Sequence, residues 1–381
     1  INWTGGALTI LDPHANTTAS NTLAFNNSTA HVNVPNTHTL KLGDGVSTDA
    51  GGNATNGFRL STFVGSRRIS FGNLEVNTTG GTNRQVTTAS NIGFNGNVTI
   101  EPSSEVVFGT SYVAGNIVNN GTFTSTAVLG LASYTDGTVS ATTNAQTIGG
   151  SGVYRNLAAA PTANLTSLTV NNTNATGVTL SVPLSVSGTL TMTSGIINTT
   201  TTNLLTLGTA TAAGILAGTP SATNMVRGPF ARTIANANAN TNYLLFPVGK
   251  TTYAPIWAAP ATTAVSVMKA ETFDTNTGTQ SAAIANMATN RRWELPLVSG
   301  TINNINVRLG DAGVLATSIP VQAPSASGEY TSTFGAVATA VVGVSTQSNT
   351  PVLSASYTGY LSYADSNACV GAPTPGNTIA S

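Results

Sequence analysis

The chain has 381 residues, of which only 7% are charged, with 13 basic and 13 acidic side chains cancelling to zero net charge; an average soluble protein has about 25% charged residues. That balance leaves no field to steer nucleic acid or an anionic membrane surface. The length suits two or three domains and a sizeable core, so folding does not depend on disulfides. Hydrophobic residues make up 40% and fall in short alternating runs, which excludes a disordered chain.

Thr, Asn, Ala, Gly, Ser and Val fill the space left by charges. The β-branched residues suit a pleated surface, and Asn and Gly supply turns. No apolar run approaches the ~20 residues of a membrane-spanning helix. The chain opens at Ile1 without a charged start and an apolar stretch, so it reads as a mature or excised chain.

Residues 1–222 read as many short strands separated by Gly and Asn turns. FGNLEVNTTGG (71–81) resembles LTSLTVNNTNATG (165–177), and GNVTIEPSSEVVFG (96–109) resembles GTLTMTSGIINTTTTNLLTLG (188–208). This irregular repetition, at spacings of roughly 20–28 residues, predicts the coils of a parallel β-solenoid. Stacking would bury Val98, Ile100, Val107, Leu190, Met192, Ile196, Leu205 and Leu207. Neutral Thr and Asn outside could form ladders without charge repulsion. A series of hairpin-built sandwiches is the alternative; the short strands and the lack of a dominant Asn-Gly or Asp-Gly turn favour the solenoid.

Near Asn224 basic and aromatic residues return, among them Arg227, Arg232, Phe230, Phe246, Tyr253, Trp257 and Trp293, and the strands lengthen. VSVMKAETFD (265–274) and INNINVRLG (302–310) alternate well, so residues 223–366 are expected to form an antiparallel β-sandwich. SAAIANMATN (281–290) is the one candidate for a helical turn. Phe246 and Tyr253 can face one core across a turn at Gly249, with Lys250 solvated. Arg291 and Arg292 are expected to pair with Glu294 or Asp311 at the rim of the sandwich, where surface pairs contribute ~0–1 kcal/mol each. Residues 367–381 read as a linker or the first strand of a further domain.

Chemistry is sparse. Glu101 and Glu105 are the close acidic pair of the first region, and the intervening turn predicts different strands, against the paired carboxylates of a β-helix lyase or hydrolase. His14, His31 and His38 lack metal-ligand spacing and read as surface positions of an N-terminal cap. The loop GDGVSTDAGGN (43–53) offers Asp44, Asp49 and Asn53 as oxygen ligands for calcium, although its spacing departs from known calcium loops; no other cofactor is expected. Tyr253 and Trp257 are the candidates for stacking against glycans, with burial in the core as the competing role. Cys369 has no histidine in the C-terminal half to activate it and reads as the partner of a cysteine in a continuation of the chain. These features favour a non-enzymatic protein.

Four segments in the second half, MVRGPFARTI (225–234), YLLFPVGKTTYAPIW (243–257), TNRRWEL (289–295) and NVRLGDAGV (306–314), follow strand-rich phrases such as LSVSGTLTMTSGIINTTTTNLLTLG. In this order they resemble the large, repetitive cell-surface proteins of Bacteroidetes, over residues 165–381. The tail CVGAPTPGNTIAS resembles the opening of immunoglobulin-like repeats in such proteins. The resemblance implies type IX secretion, display on the bacterial surface and a role in adhesion, motility or extracellular filaments. The expected function is a structural subunit of a surface fibre that self-associates through strand edges at the solenoid ends or a docked terminal segment. The alternative is a single-copy adhesin that binds glycans or host or abiotic surfaces, and a polysaccharide lyase or hydrolase is a third reading.

Overall fold

The computed structural model describes residues 6–11, 23–25, 32–45, 58–62, 69–78, 85–88, 91–157 and 163–367. The chain is all-β; among the described residues the only helical element is a 3-10 turn at Ser354–Ser356. It divides into two compact units: Ile1–Thr209 with Ala213–Arg227, and Ala210–Ala212 with Gly228–Ser381.

In the first unit the alternating phrases become short strands that pair in parallel. The chain visits three sheets in rotation, here called A, B and C. One circuit runs through Val98–Ile100 in A, Glu105–Phe108 in B and Ser111–Val113 in C, then returns to A at Ile117–Asn119. This topology is compatible with the expected solenoid. The circuits vary more than expected: 19 residues separate stacked Asn97 and Asn116, whereas 34 separate paired Thr39 and Asn73. The stack continues to the Val226–Arg227 strand, past the compositional boundary at 222.

Strand alternation sends every second side chain inward. Leu74, Val98, Ile117, Ile148 and Leu180 lie in register in sheet A and are all buried. Aromatic rings continue from one circuit to the next: Phe71 to Phe94 at 6.1 Å, Phe94 to Phe108 at 5.5 Å, Phe108 to Phe123 at 5.4 Å and Phe123 to Tyr154 at 5.7 Å. Burial pushes the Tyr154 hydroxyl pKa well up, and that hydroxyl donates to Gly149 O at 2.9 Å. Seven of the eight expected interior residues are buried. Val107 is the exception: Val106 and Phe108 point inward, while Val107 shares the outer face with Glu105. A period of two makes these choices exclusive, and burying Val107 would have forced the Glu105 carboxylate inside.

The circuits approach so closely at their corners that some positions admit only glycine. Gly150 has φ +104°, and a Cβ there would lie 2.0 Å from Asn119 O on the preceding circuit. One antiparallel hairpin interrupts the rotation, Ser133–Thr135 with Thr138–Ser140, turning through Asp136 and Gly137, both at positive φ. Asp-Gly suits such a turn. The hairpin stacks Tyr134 on Tyr112 at 4.9 Å, over the outer face of sheet C at Gly93 and Gly130, and Asn33 Nδ2 donates to Asp136 Oδ1 at 2.6 Å.

The second unit is mainly antiparallel. In one sheet Phe230–Ile234, Ser266–Phe273, Arg292–Glu294 and Tyr360–Ser366 pair in that order, with Ser318–Ala323 also against Tyr360–Ser366. In the other, Leu244–Phe246, Ile256–Thr262, Ile302–Gly310, Ser345–Ser348 and Ala338–Val341 follow one another. Phe230 and Phe246, one from each sheet, meet at 6.1 Å. Both Trp293 Nε1 and Thr272 Oγ1 donate to Ala254 O, at 2.8 and 2.9 Å. The expected helical turn in 281–290 is absent: a turn closes with Ile284 N donating to Ser281 O, and Ile284–Ala285 then pairs as a strand with Ser366 and Asp365. Ile284 is needed in the core with Ile319, Val321 and Tyr330, which explains the preference for strand.

Candidate functional site

The most regular polar feature is a ladder of asparagines along one corner of the first unit. Asn73 Oδ1 accepts the Asn97 N–H, Asn97 Oδ1 the Asn116 N–H, and Asn116 Oδ1 the Thr147 N–H, each at 2.8 Å. In the opposite direction Asn73 Nδ2 donates to Asn36 O at 2.6 Å and Asn174 Nδ2 to Thr143 O at 2.8 Å. Each amide therefore ties one circuit to the next where the backbone turns and lacks ladder partners. Asn36, Asn73, Asn97, Asn116, Asn144 and Asn174 line a groove of about 570 Å³. A second groove of about 440 Å³, with Ser194, Ile196 and Thr223 in its walls, meets it at Asn174. No charged side chain lines either, so neither offers an acid or base; the first presents mainly amides and hydroxyls, the second a mainly apolar surface.

The ladder makes a prediction. Asn116→Ala should cost about 1 kcal/mol by leaving the half-buried Thr147 N–H without its acceptor, whereas Asn116→Asp keeps an acceptor oxygen and should lose less. Urea denaturation followed by circular dichroism compares them, and equal losses in the two variants would contradict the ladder's role.

The outer face of a sheet in the second unit carries a different cluster. Leu245, Trp257, Arg308 and Gln347 lie across four neighbouring strands in register. The Arg308 guanidinium sits 5.0 Å from the Tyr243 ring centre and 5.5 Å from that of Trp257, and its Nε donates to Gln347 Oε1 at 2.8 Å. Such cation–π contacts hold the guanidinium against the two rings. Burial raises the Tyr243 pKa, against the lowering effects of Arg308 and a hydrogen bond with Ser348. Trp257 is half-buried here. Tyr253, the other aromatic candidate, is also half-buried and forms a bridge with Gly249, and burial pushes its pKa up to about 12. Tyr243 and Arg308 were not legible as members of this cluster in the sequence, because cross-strand register brings them together.

Several carboxylates are engaged structurally. Glu105 pairs with Arg155 at 2.5 Å and accepts from Gln85 Nε2 at 2.8 Å and Thr124 Oγ1 at 3.1 Å. Glu101 lies in the turn before the Glu105 strand, so the two occupy different elements. Lys41 meets Glu75 at 2.7 Å across adjacent strands. Lys250 is not simply solvated as expected: it pairs with Glu271 at 2.6 Å and lies 5.4 Å from the Phe273 ring centre. Arg292 pairs with Glu294 at 3.0 Å and Arg291 with Asp311, as expected from the sequence. The environment differs from a surface rim, however. Arg291 and Asp311 are both buried, Arg291 also binds Asp274, and its Nη2 donates to Thr252 Oγ1 at 2.8 Å.

Of the calcium candidates, Asp44 is half-buried in a turn between Gly43 and Gly45, both at positive φ, while Asp49 and Asn53 lie outside the described residues. Among the described residues no group of three His, Cys, Asp or Glu is placed to hold a metal ion. His38 is buried in the His38–Leu42 strand with Thr37 Oγ1 3.0 Å from Nδ1, contrary to the expected surface position. Its strand alternates with Leu40 and Leu42 on the inner face, and that period carries it inward. His14, His31 and Cys369 lie outside the described residues. No described helix is long and apolar enough to cross a membrane. Compared with known proteins, the chain matches no family model, no curated sequence and no solved structure.

Proposed function

We propose that this chain is a non-enzymatic structural protein of a bacterial surface, a self-associating subunit of an extracellular fibre. In this reading a parallel β-solenoid is followed by an antiparallel β-sandwich. The observation that carries it is the parallel stack itself, whose polar side chains are spent holding one circuit to the next. Such a stack is a mechanical element with strand edges at its ends, which favours end-to-end association. Low charge removes much of the repulsion that opposes such contact. Export by the type IX pathway rests on the sequence resemblance to Bacteroidetes surface proteins.

A single-copy adhesin is the second reading, favoured by the neutral asparagine-lined groove and by the Tyr243–Trp257–Arg308 face. Hydroxyl-rich glycans or host and abiotic surfaces would be its partners. Catalysis by a lyase or hydrolase would require Glu105 to leave Arg155. Electron microscopy of material sheared from cells and of the purified chain tests the primary proposal. Regular fibres with one chain per repeat are expected, and isolated monomers at high concentration would overturn it.

A further inference from the structure

Among the described residues of the second unit the Ala338–Val341 strand pairs only with Ser345–Ser348 and forms the outer edge of its sheet. Natural edges are usually protected by charge, proline or a bulge. This one has none of these: residues 330–350 contain no Asp, Glu, Lys, Arg or Pro. Ala338 and Ala340 are half-buried toward the core, whereas the valines in and beside the strand are exposed, Val337 by 70%, Val341 by 53% and Val342 by 62%. Val344 and Leu315 extend the exposed patch around the hairpin tip, where Gly343 N donates to Val314 O at 2.8 Å.

The edge sequence reads identically in both directions: Val337, Ala338, Thr339, Ala340, Val341. An antiparallel strand from a second copy, centred on Thr339, would place Thr339 opposite Thr339, Ala338 opposite Ala340 and Val337 opposite Val341. The strand period puts Val337, Thr339 and Val341 on one face, so the two valine pairs would flank the central threonines. Directly opposed β-branched residues are favourable cross-strand pairs, and with no charge in the segment a copy meets no like-charge conflict. Self-complementarity of this kind selects a second copy of the chain as the occupant and a two-fold axis as the symmetry.

We propose that the Ala338–Val341 edge is a self-association site, joining two copies through antiparallel pairing of residues 337–341 centred on Thr339. This rests on the fibre reading and adds to it a lateral contact between neighbouring subunits. Two five-residue strands cover less than the roughly 1,200 Å² of a stable dimer. The contact therefore operates among crowded copies on a surface or within a fibre.

Cysteine cross-linking reads the register. The 381-residue chain carries Cys369→Ser, which removes its one thiol, and is studied at the highest concentration at which it stays soluble. Opposed residues in an antiparallel pair have Cα atoms about 4.5–5.5 Å apart, within disulfide range. Thr339→Cys should therefore give a cross-linked dimer under mild oxidation. Val337→Cys alone should link at least tenfold more slowly, and a mixture of Val337→Cys and Val341→Cys should give the heterodimer. Charged Lys at the edge, in Val341→Lys combined with Thr339→Cys, should abolish the link. Self-association by light scattering without a Thr339→Cys cross-link would overturn this pairing while leaving the fibre reading intact. A chain that is monomeric by both measures would overturn both.

Discussion

Arg291→Met is expected to destabilise the second unit by about 3–5 kcal/mol, the cost of leaving a buried ionic partner uncompensated. Arg291 binds Asp274 and the equally buried Asp311, which also accepts the Gly313 N–H at 2.9 Å. Most of the loss comes from Asp311, because Asp274 retains 30% exposure and can rehydrate. Both Trp293, fully buried, and Trp257 lie in this unit, so their fluorescence during urea denaturation follows it. Adding Asp311→Leu to Arg291→Met should recover part of the loss by removing the stranded charge. A loss below ~1 kcal/mol for Arg291→Met would place the interaction with ordinary surface pairs.

The same cluster sets an acid-side dependence. Burial acts to raise the Asp274 pKa, but hydrogen bonds from Thr251 Oγ1 and N–H, then the Arg291 pair, outweigh it and hold the value below the ordinary 3.8. In the unfolded chain the carboxyl returns to its ordinary value. Its contribution to stability is therefore present above that value and is lost as pH falls through the lower, folded one. Asp274→Asn should reduce the slope of stability against pH in this window while leaving the slope near neutrality unchanged.

Phe108→Ala is expected to cost about 3–5 kcal/mol, the usual range for truncating a buried aromatic. Phe108 is fully enclosed between Phe94 and Phe123, and no flexible side chain among these rings can refill the space. A stack in which each circuit touches only its neighbours should also respond locally. Hydrogen exchange should show protection lost first from the Ile92–Phe94 and Thr122–Ser125 strands, with the Thr189–Ser194 strand less affected. Equal loss of protection throughout the unit would show that it unfolds as one block and would contradict the quasi-one-dimensional picture.

Much of the local character was legible in the residues. Thr, Val and Ile runs broken by Gly and Asn specify short strands and turns, because β-branched side chains suit the pleat and glycine tolerates positive φ. The scarcity of charge narrowed the chemistry, and Arg291 and Arg292 found carboxylates proposed for them. An alternating strand, however, has two possible faces, and the choice between Val106 and Val107 depended on Glu105 reaching Arg155, 50 residues away in sequence. The 281–290 segment reads as readily as turn and helix, and Ile284 became a strand residue because a core and a partner at Ser366 were waiting for it.

Composition and alternation thus determined an all-β chain of short, weakly charged strands. Tertiary structure alone decided which circuit lies over which, and hence that Asn73, Asn97, Asn116 and Thr147 would form a ladder although 24, 19 and 31 residues separate its successive members. It also decided that VATAV would lie at an open edge. The physical reason is that a strand's side-chain pattern encodes its own two faces, whereas its hydrogen-bonding edges are chemically alike along every strand, and only the completed sheet determines which of them remains unpaired.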